Sequence, residues 1–523
     1  MTILQKIFRT KKYSNKFNKI DVLCIVSGLF VFATVALWTI TKSSIWFDEA
    51  FGAYLIRFNF WDIARYTAAD VHPPLYYWLL KLWSMLFGNS ELALRSMSVL
   101  FGAIAIVFGY LLIHRLFGKK AARVSLLFMA LSPMLVRYGQ EMRMYTLVTA
   151  IALAATYVLT YAVTTKKRLP WVIYGILVSL GMWTHYFSAI VWLAHWIWQA
   201  DNVRRVAKKG KFIKTFFSKE WVFAHIVAVG LFLPWLPFFL FQLFVVQAFG
   251  FWIGPITPDT LVNFSTNVFY YQGSNTVVGW LAFVFLVVVI FLGILSYKSY
   301  KALNEVDCQS YRLIIAIAFV PILLLLILSL PPLRSSFIDR YLITSIVGIA
   351  LFIGVTLTLG SKKIKLKHQI IFGTVMTVMM VIGIGNVWHF GNFNNNSHAS
   401  NNTRQIIEAA VEKSSDGQPI IAATPWLFYE AVFYSTNNHP VYYIDPVKYQ
   451  FGSLAMLKDN DQFKIKDINE FTKSHPIFWY VGYSTEGKLD APYANWQSIQ
   501  QVKVNDSFSN KPAYKAVQYS VSN

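Results

Sequence analysis

The chain has 523 residues, of which 56% are hydrophobic and 14% are charged, and its mean hydropathy is +0.46. Apolar stretches of about 20 residues recur, each long enough to cross a hydrocarbon core of roughly 30 Å as a helix, so the composition excludes a soluble protein and indicates a polytopic membrane protein. The net charge of +22 does not require a nucleic-acid partner, because Lys and Arg collect in the cytoplasmic loops of membrane proteins.

The N-terminus and the two cysteines narrow the class further. A basic segment, Lys6 to Lys19, precedes the first apolar run, and this run has no small-residue cleavage site. We therefore predict a retained first span with a basic cytoplasmic N-terminus, residues 1–19. Cys24 lies in the apolar run and Cys308 in a short polar loop, a distribution that excludes a disulfide framework and a thiolate metal cluster.

Apolar length predicts eleven membrane spans. They cover residues 20–40, 93–113, 122–136, 145–163, 170–184, 187–200, 221–241, 277–296, 313–330, 341–360 and 369–389. An odd number of spans puts the C-terminus on the opposite side from the N-terminus. The segments assigned to the inside contain 27 Lys and Arg, against 8 in the outside loops between spans, and this bias supports the orientation.

The composition changes after the last span. The polar segment GNFNNNSHASNN marks a linker, residues 390–402, and residues 403–523 contain no spanning run. Amphipathic stretches, Arg404 to Lys413 and Trp426 to Tyr434, alternate with the apolar runs PIIAAT, PVYYI and PIFWYVGY. This alternation predicts a small extracytoplasmic α/β domain after a transmembrane domain of residues 20–389.

The first outer loop, residues 41–92, is long and carries acidic groups next to the hydrocarbon. It contains WFDEAF, with Asp48 and Glu49, and DVHPPLYYW, with Asp70 and His72. A carboxylate near the bilayer core is disfavoured by desolvation unless a cation, a metal or hydrogen-bond donors hold it. Acidic groups at this position therefore indicate a site.

Three later outer segments supply cations and hydroxyl groups. They are RYGQEMRMY, with Arg137, Glu141, Arg143 and Tyr145; THYF, with His185 and Tyr186; and RSSFIDRYL, with Arg334, Asp339, Arg340 and Tyr341. A carboxylate can accept the proton of a hydroxyl nucleophile, and Arg, His and Tyr can bind a phosphate, Arg through two parallel hydrogen bonds. This combination suits a hydroxyl acceptor and a phosphate leaving group.

The inside loops restrict the donor. None of them exceeds about 20 residues or carries a Walker or Rossmann glycine pattern, so they leave no room for a cytoplasmic nucleotide-sugar domain. We therefore expect a lipid-linked donor that enters laterally from the bilayer.

The order and membrane side of these motifs resemble the bacterial branch of glycosyltransferase family 39, over about residues 20–360. FDE lies in the first outer loop, HPPLYYW follows some twenty residues later, and RYGQEMRMY, THYF and RYL follow later spans in that order. Relatives in that family include protein O-mannosyltransferases and the aminoarabinose transferase that acts on lipid A, all of the GT-C fold. The resemblance implies a GT-C-like helical membrane domain and inverting transfer from a polyprenyl-phosphate sugar.

The resemblance also implies roles for individual residues. Asp48 becomes the candidate base, and Glu49 its neighbour for acceptor contact or metal binding. The candidates for binding the donor phosphate are His72, Arg143, Arg340 and Tyr341, with Asp70, Glu141, Tyr145 and His185 in support. A divalent cation is a candidate cofactor, and its candidate ligands are Glu49, Asp70, Glu141 and His185.

These residues also have structural interpretations. The pair Asp48 and Glu49 can cap the helix that follows, and His72 can belong to a rigid turn with the two prolines after it. Arginines near span ends can reach lipid headgroups, which is the alternative for Arg137, Arg143 and Arg340. His185 can make an interfacial hydrogen bond, and the basic run KKGKFIK can be a lipid-headgroup patch.

The residues therefore favour one function over two rivals. The first hypothesis is an inverting glycosyltransferase of the cell membrane that moves a monosaccharide to a hydroxyl of a protein, lipid or cell-wall glycan. The second is a flippase or carrier for lipid-linked saccharides, which would place charged groups at the bilayer midplane on discontinuous helices. The third is a non-catalytic sensor whose C-terminal domain binds glycans.

Overall fold

A computed structural model places a helix at each of the eleven predicted spans. It describes residues 17–521 with the exception of 166, 208–209, 250–252, 272–278, 360–364, 392–401, 437, 445–449, 460, 485–488 and 506–511. The predicted basic N-terminus, most of the predicted linker and the start of the KKGKFIK run therefore lie outside the described residues.

The helices up to the end of the last span are numbered here in chain order. They are α1 (Lys19–Leu37), α2 (Phe47–Leu55), α3 (Phe60–Ala69), α4 (Leu75–Phe87), α5 (Glu91–Phe117), α6 (Lys119–Ala130), α7 (Pro133–Gly139), α8 (Tyr145–Ala162), α9 (Leu169–Thr184), α10 (Ser188–Val206), α11 (Phe212–Phe216), α12 (Lys219–Phe232), α13 (Leu236–Phe249), α14 (Pro258–Phe269), α15 (Gly279–Lys301), α16 (Glu305–Leu328), α17 (Ile343–Leu359) and α18 (Leu366–Phe390). Two 3₁₀ turns, Leu233–Trp235 and Asp339–Leu342, lead into α13 and α17.

The predicted polytopic helical fold is confirmed, although fewer helices qualify as full spans. Seven of the described helical segments are long and apolar enough to cross a membrane, or eight if the bent pair α6 and α7, which meet at 56°, forms one span. The apolar helix α9 is shorter, and α10 ends in the charged stretch Asp201 to Arg205. The apolar runs in the sequence thus predict the positions of the helices more accurately than the number of membrane spans.

The described chain divides into two compact units. The helical unit comprises Met1–Trp38 and Arg95–His389, and the mixed unit comprises Thr39–Leu94 and Phe390–Asn523. The residues of the first outer loop therefore belong to the same compact unit as the residues that follow the last span. The reason is a set of contacts between residues more than 300 positions apart, which are described below.

Helix α17 is the centre of the helical unit. It packs against α6, α8 and α16. In the segment Asp339–Leu359, 89% of the residues of the most apolar 18-residue stretch are buried inside the protein. Close approach depends on small residues, because a Cβ atom added to Gly354 would come within 2.5 Å of the Ser125 Cα atom. By contrast, only 17% of the residues in the most apolar stretch of α1 are buried, as expected for a helix that faces lipid.

The C-terminal part of the mixed unit is the predicted α/β domain. Helices α19 (Thr403–Glu412), α20 (Pro425–Tyr434) and α21 (Ile468–Ser474) accompany five strands: β1 (Ile420–Ala422), β2 (Val441–Tyr443), β3 (Ile477–Tyr483), β4 (Trp496–Asn505) and β5 (Pro512–Val521). The sheet order is β2-β1-β3-β5-β4, with β1 parallel to both neighbours and β5 antiparallel to both of its neighbours. Its core contains Ile421, Phe478, Trp496 and Tyr519.

Candidate functional site

Helix α2 carries the acidic pair in its first turn, where negative charge stabilises the helix dipole. Glu49 is fully buried, and its Oε2 atom accepts a hydrogen bond of 3.3 Å from the Trp46 backbone N–H. Glu49 thus bonds a backbone N–H group at the start of its own helix, as the capping interpretation predicts. Asp48 is half-buried and lies one position nearer the N-terminus of the helix.

The second motif of the first outer loop forms an acid–imidazole pair. The Nδ1 atom of His72 lies 2.9 Å from Oδ2 of Asp70. Because an ionised carboxylate only accepts hydrogen bonds, Nδ1 is the protonated nitrogen of this pair. Pro73 and Pro74 follow directly and are buried, so His72 has a rigid turn on one side and a fixed carboxylate on the other. Both interpretations of His72 fit this geometry.

In the helical unit, the segment RYGQEMRMY begins with a buried ion pair. Arg137 Nη1 lies 2.8 Å from Glu141 Oε2, and the side chains are 13% and 2% exposed. Arg137 Nε also donates to the Tyr271 hydroxyl at 3.1 Å. Burial raises the pKa of Tyr271, so this phenol stays neutral and its oxygen is available to accept. Arg137 is therefore held within the protein as well as lying near a span end.

Asp339 is a carboxylate of the helical unit that accepts hydrogen bonds from several donors. It accepts hydrogen bonds from the Tyr138 hydroxyl at 3.0 Å, from Asn267 Nδ2 at 3.3 Å and from the Arg340 backbone N–H at 2.8 Å. These donors come from α7, α14 and the 3₁₀ turn before α17. Asp339 thereby fixes the backbone of the turn that carries Arg340.

Aromatic rings join the remaining predicted residues of the helical unit. The Tyr341 ring lies 5.0 Å from the His185 ring and stacks on Phe187 at 4.5 Å. His185 in turn lies 5.9 Å from Tyr145, and the Arg340 guanidinium is 5.7 Å from the Tyr341 ring centre. The three later outer motifs, which are separated by at least 38 residues in the sequence, therefore meet in one place.

Arg143 is buried in the same segment as the Arg137–Glu141 pair. Its side chain is 2% exposed, and the Ser98 hydroxyl on α5 donates to the carbonyl oxygens of Glu141 at 2.6 Å and Arg143 at 3.3 Å. Helix α5 therefore fixes the backbone on which Arg143 stands. An arginine this buried needs partners within the protein, which argues against a role limited to contacts with lipid headgroups.

Sequence comparison finds relatives for the middle of the chain. Residues 71–238 match the family described as dolichyl-phosphate-mannose-protein mannosyltransferase. The undecaprenyl phosphate-alpha-4-amino-4-deoxy-L-arabinose arabinosyl transferase of Pseudomonas savastanoi pv. phaseolicola is 24% identical over 172 residues, which are 31% of this chain and 30% of that protein. The match thus spans less than a third of the curated relative.

Comparison with solved structures covers nearly the whole chain. The apo structure of ArnT from Cupriavidus metallidurans has a TM-score of 0.63 at 12% identity, over 95% of this chain and 97% of that chain. The chain has the GT-C fold. The structure of the same ArnT bound to undecaprenyl phosphate gives 0.60 at 14% identity over the same shares of both chains. The apo oligosaccharyltransferase of Archaeoglobus fulgidus gives 0.51 at 12% identity over 90% of this chain and 70% of that chain.

These matches confirm the resemblance inferred from the motifs and show a multi-span membrane protein with the GT-C fold. The family match begins at Val71, beside His72, and includes the segments of Arg143 and His185. It does not include Asp48 or Arg340. The family match therefore does not support the roles predicted for these two residues, and the support comes from the chemistry of their side chains.

Two of the four candidate metal ligands of this GT-C chain form pairs with other side chains. Asp70 pairs with His72, and Glu141 pairs with Arg137. Among the residues that the structure describes, no three His, Cys, Asp or Glu side chains are gathered closely enough to hold a metal ion.

Two residues of the GT-C chain that contact the predicted site were missed in the sequence. Asn267 and Tyr271 lie in the outer segment 242–276, which contains no Lys or Arg and therefore displayed no charged motif. A weaker signal was present, because Asn263 and Asn267 recur at helical spacing on α14. Tyr271 also has a φ of 43°, an uncommon backbone conformation for a bulky residue that is enriched at functional positions.

Proposed function

We propose that this protein is an inverting glycosyltransferase that moves a monosaccharide from a polyprenyl-phosphate donor to a hydroxyl of a protein, lipid or cell-wall glycan. The observation that carries the proposal is the meeting of Arg340, Tyr341 and His185 beside the half-buried Asp339 and its hydrogen-bond donors. The mannosyltransferase family match and the GT-C relative solved with undecaprenyl phosphate support a polyprenyl-phosphate donor.

Asp48 is the general base of the proposed reaction. Its carboxylate accepts the proton of the acceptor hydroxyl while the hydroxyl oxygen attacks the anomeric carbon from the face opposite the phosphate. The bond between the anomeric carbon and the phosphate oxygen breaks, and the electron pair leaves with the polyprenyl phosphate. Because attack and departure occur on opposite faces, the anomeric configuration inverts. Glu49 supports this role by fixing the first turn of α2.

The donor phosphate is assigned to Arg143, Arg340, Tyr341 and His72. Arginine stabilises a departing phosphate best because its guanidinium offers two parallel charged donors and stays protonated. Arg340 stands on a turn fixed by Asp339, and Tyr341 is fixed by Phe187 and His185. Such fixed groups stabilise developing charge without having to reorganise during the reaction.

The protein is assigned to the cell membrane with a cytoplasmic N-terminus and an extracytoplasmic C-terminal domain. The excess of Lys and Arg in the segments placed inside supports this orientation, since such residues are retained on the cytoplasmic side. A single cysteine introduced at the exposed Lys466 should react with a membrane-impermeant maleimide on intact cells, after the two native cysteines have been replaced. Labelling only after cell lysis would reverse the orientation.

The test of the activity is transfer in a purified system. The full-length protein, a synthetic polyprenyl-phosphate sugar and an envelope extract are incubated, and products are identified by mass spectrometry and by NMR of the anomeric centre. A new glycosidic bond with inverted configuration is expected. Movement of labelled lipid between leaflets without any glycosidic bond would instead identify a flippase. Glycan binding by the isolated membrane protein without transfer would identify a sensor.

A further inference from the structure

We infer that the C-terminal domain positions the first outer loop for catalysis, and that Tyr434, Arg404 and Ser453 are its positioning residues. This inference rests on the proposed function, in which Asp48 and His72 act on the acceptor and donor. It assigns a role to a domain that carries no recognisable catalytic motif of its own.

Tyr434, at the end of α20, contacts the chain three residues before Asp48. Its hydroxyl accepts the Ile45 backbone N–H at 2.6 Å and donates to the Glu91 carboxylate. Ile45 is fully buried, and Glu91 is 8% exposed. A buried backbone N–H needs a partner, and here the partner is a side chain 389 positions along the chain.

Arg404, near the start of α19, fixes the same segment from a second direction. Its Nη1 atom lies 2.7 Å from Glu91 Oε2, and its Nη2 atom donates to the carbonyl oxygens of Thr41 at 3.1 Å and Lys42 at 3.3 Å. Its backbone N–H donates to the Ser44 hydroxyl at 3.1 Å. Glu91 is thus shared by Arg404 and Tyr434, and the residues that lead into α2 have little freedom.

Aromatic packing then fixes the rotation of α2 about its own axis. The Phe47 ring lies 4.8 Å from Trp426, edge to face, and the Tyr54 ring lies 5.0 Å from Tyr429 and 5.9 Å from Phe428. Phe47 and Tyr54 are seven residues apart and therefore lie on the same face of the helix. Because this face is held against α20, the direction of the intervening Asp48 is set by the C-terminal domain.

The same domain fixes the carboxylate that orients His72. The Ser453 hydroxyl donates to Asp70 Oδ1 at 3.1 Å, and the Gly452 N–H donates to the Ala69 carbonyl at 2.8 Å. The Tyr429 hydroxyl donates to the Ser453 carbonyl at 2.9 Å. Burial raises the pKa of Tyr429, so its hydroxyl stays protonated as this bond requires. Tyr429 therefore connects the segment of Asp70 with the face of α2.

Positioning has a measurable consequence that general stability does not have. A catalytic group displaced by about 1 Å can lose about 100-fold in rate while the substrate still binds. Replacing Tyr434 by Phe keeps the ring and removes both hydrogen bonds. We therefore expect Tyr434→Phe in the full-length protein to lower kcat by about 10-fold or more and to leave the donor KM within twofold. The melting temperature should also fall, because the Ile45 N–H and the Glu91 carboxylate each lose a hydrogen-bond partner, so the split between kcat and KM is the readout that identifies positioning.

Hydrogen exchange supplies a readout that does not depend on activity. Mass spectrometry of the full-length protein should show faster amide exchange in peptides covering residues 41–50 of Tyr434→Phe. Ser453→Ala should instead speed exchange around residues 68–72. Tyr442→Phe is the matched control, because Tyr442 lies in the same domain and packs on Phe471 within that domain. It should change neither exchange nor kcat.

The outcomes separate the inference from the proposed function. Wild-type protein that forms no glycosidic bond would overturn both. An active wild type whose Tyr434→Phe and Ser453→Ala variants keep normal exchange, or keep normal kcat despite faster exchange, would overturn only the positioning role. A rise in donor KM with unchanged kcat would also overturn it, because the residues would then act on donor binding.

Discussion

The hydroxyl of Tyr138 donates a hydrogen bond of 3.0 Å to Asp339, although the two residues are 201 positions apart in the chain. The bond joins α7, the second half of a bent helix pair, to the turn that carries Arg340. It therefore connects two of the outer motifs on which the proposed phosphate site depends.

Tyr138→Phe tests this connection. Removal of one donor to a half-buried carboxylate should cost about 1.5–3 kcal/mol of unfolding free energy, since hydrogen bonds to charged groups fall in that range. The transfer rate should fall with it, because the Arg340 turn loses support. Thermal unfolding in detergent and initial transfer rates measure the two effects. The exposed Tyr297 provides the control, and Tyr297→Phe should change neither.

Arg340 and Arg334 form a matched pair for the phosphate assignment. Arg340 is 8% exposed beside Asp339 and Tyr341, whereas Arg334 is exposed in the same loop. Arg340→Ala should lower kcat/KM by about 10- to 100-fold, the equivalent of about 1.5–3 kcal/mol of lost charged hydrogen bonding. Steady-state kinetics with varied donor measures this loss. Equal effects of Arg340→Ala and Arg334→Ala would remove Arg340 from the site.

The ion pair between Arg137 and Glu141 predicts a non-additive pair of substitutions. Arg137→Met leaves a buried carboxylate without its guanidinium, and loss of one partner of a buried pair costs about 3–5 kcal/mol. The double variant Arg137→Met with Glu141→Gln should therefore be more stable than Arg137→Met alone. Melting temperatures of the wild type and the three variants complete the cycle. Additive losses would mean that the two side chains act independently.

Gly354 predicts a packing defect at the centre of the helical unit. A Cβ atom there would approach the backbone of Ser125 on α6, so Gly354→Ala should push α17 from α6 and lower the melting temperature. Gly293 lies in helix α15 with open space around it, and Gly293→Ala should be neutral or stabilising by up to about 1 kcal/mol from helix propensity. A stabilising Gly354→Ala would contradict the close packing.

Element positions could be predicted where one local pattern decides them. A helix lies at every apolar run that predicts a span, and β1, β2 and β3 coincide with short apolar stretches. Strands β4 and β5 were not predicted. For β4 the reason is that it is a mostly exposed strand at the edge of the sheet, and its residues Trp496–Asn505 are largely polar. Its pairing with β5 provides the stabilisation that its own sequence does not indicate.

Residues of the candidate site could be predicted from the sequence only where ionisable side chains occur in apolar surroundings. The motifs of Arg143, His185 and Arg340 contain ionisable groups in apolar surroundings and were recognised. Asn267 and Tyr271 are uncharged, and their part depends on contacts with Asp339 and Arg137. The grouping of the first outer loop with the C-terminal residues likewise has no local signal in the sequence. It arises from contacts such as that between Ile45 and Tyr434, which no local pattern encodes.

The initial rate of sugar transfer by Asp48→Asn tests the central claim most directly. The amide keeps the shape of the side chain but cannot accept the acceptor proton, so the rate should fall by about 100- to 10,000-fold, the usual contribution of a general base. Melting temperature and donor binding should stay at wild-type values, and Asp62→Asn in the same loop should transfer normally. An Asp48→Asn variant that transfers sugar within a few-fold of the wild-type rate would contradict the account.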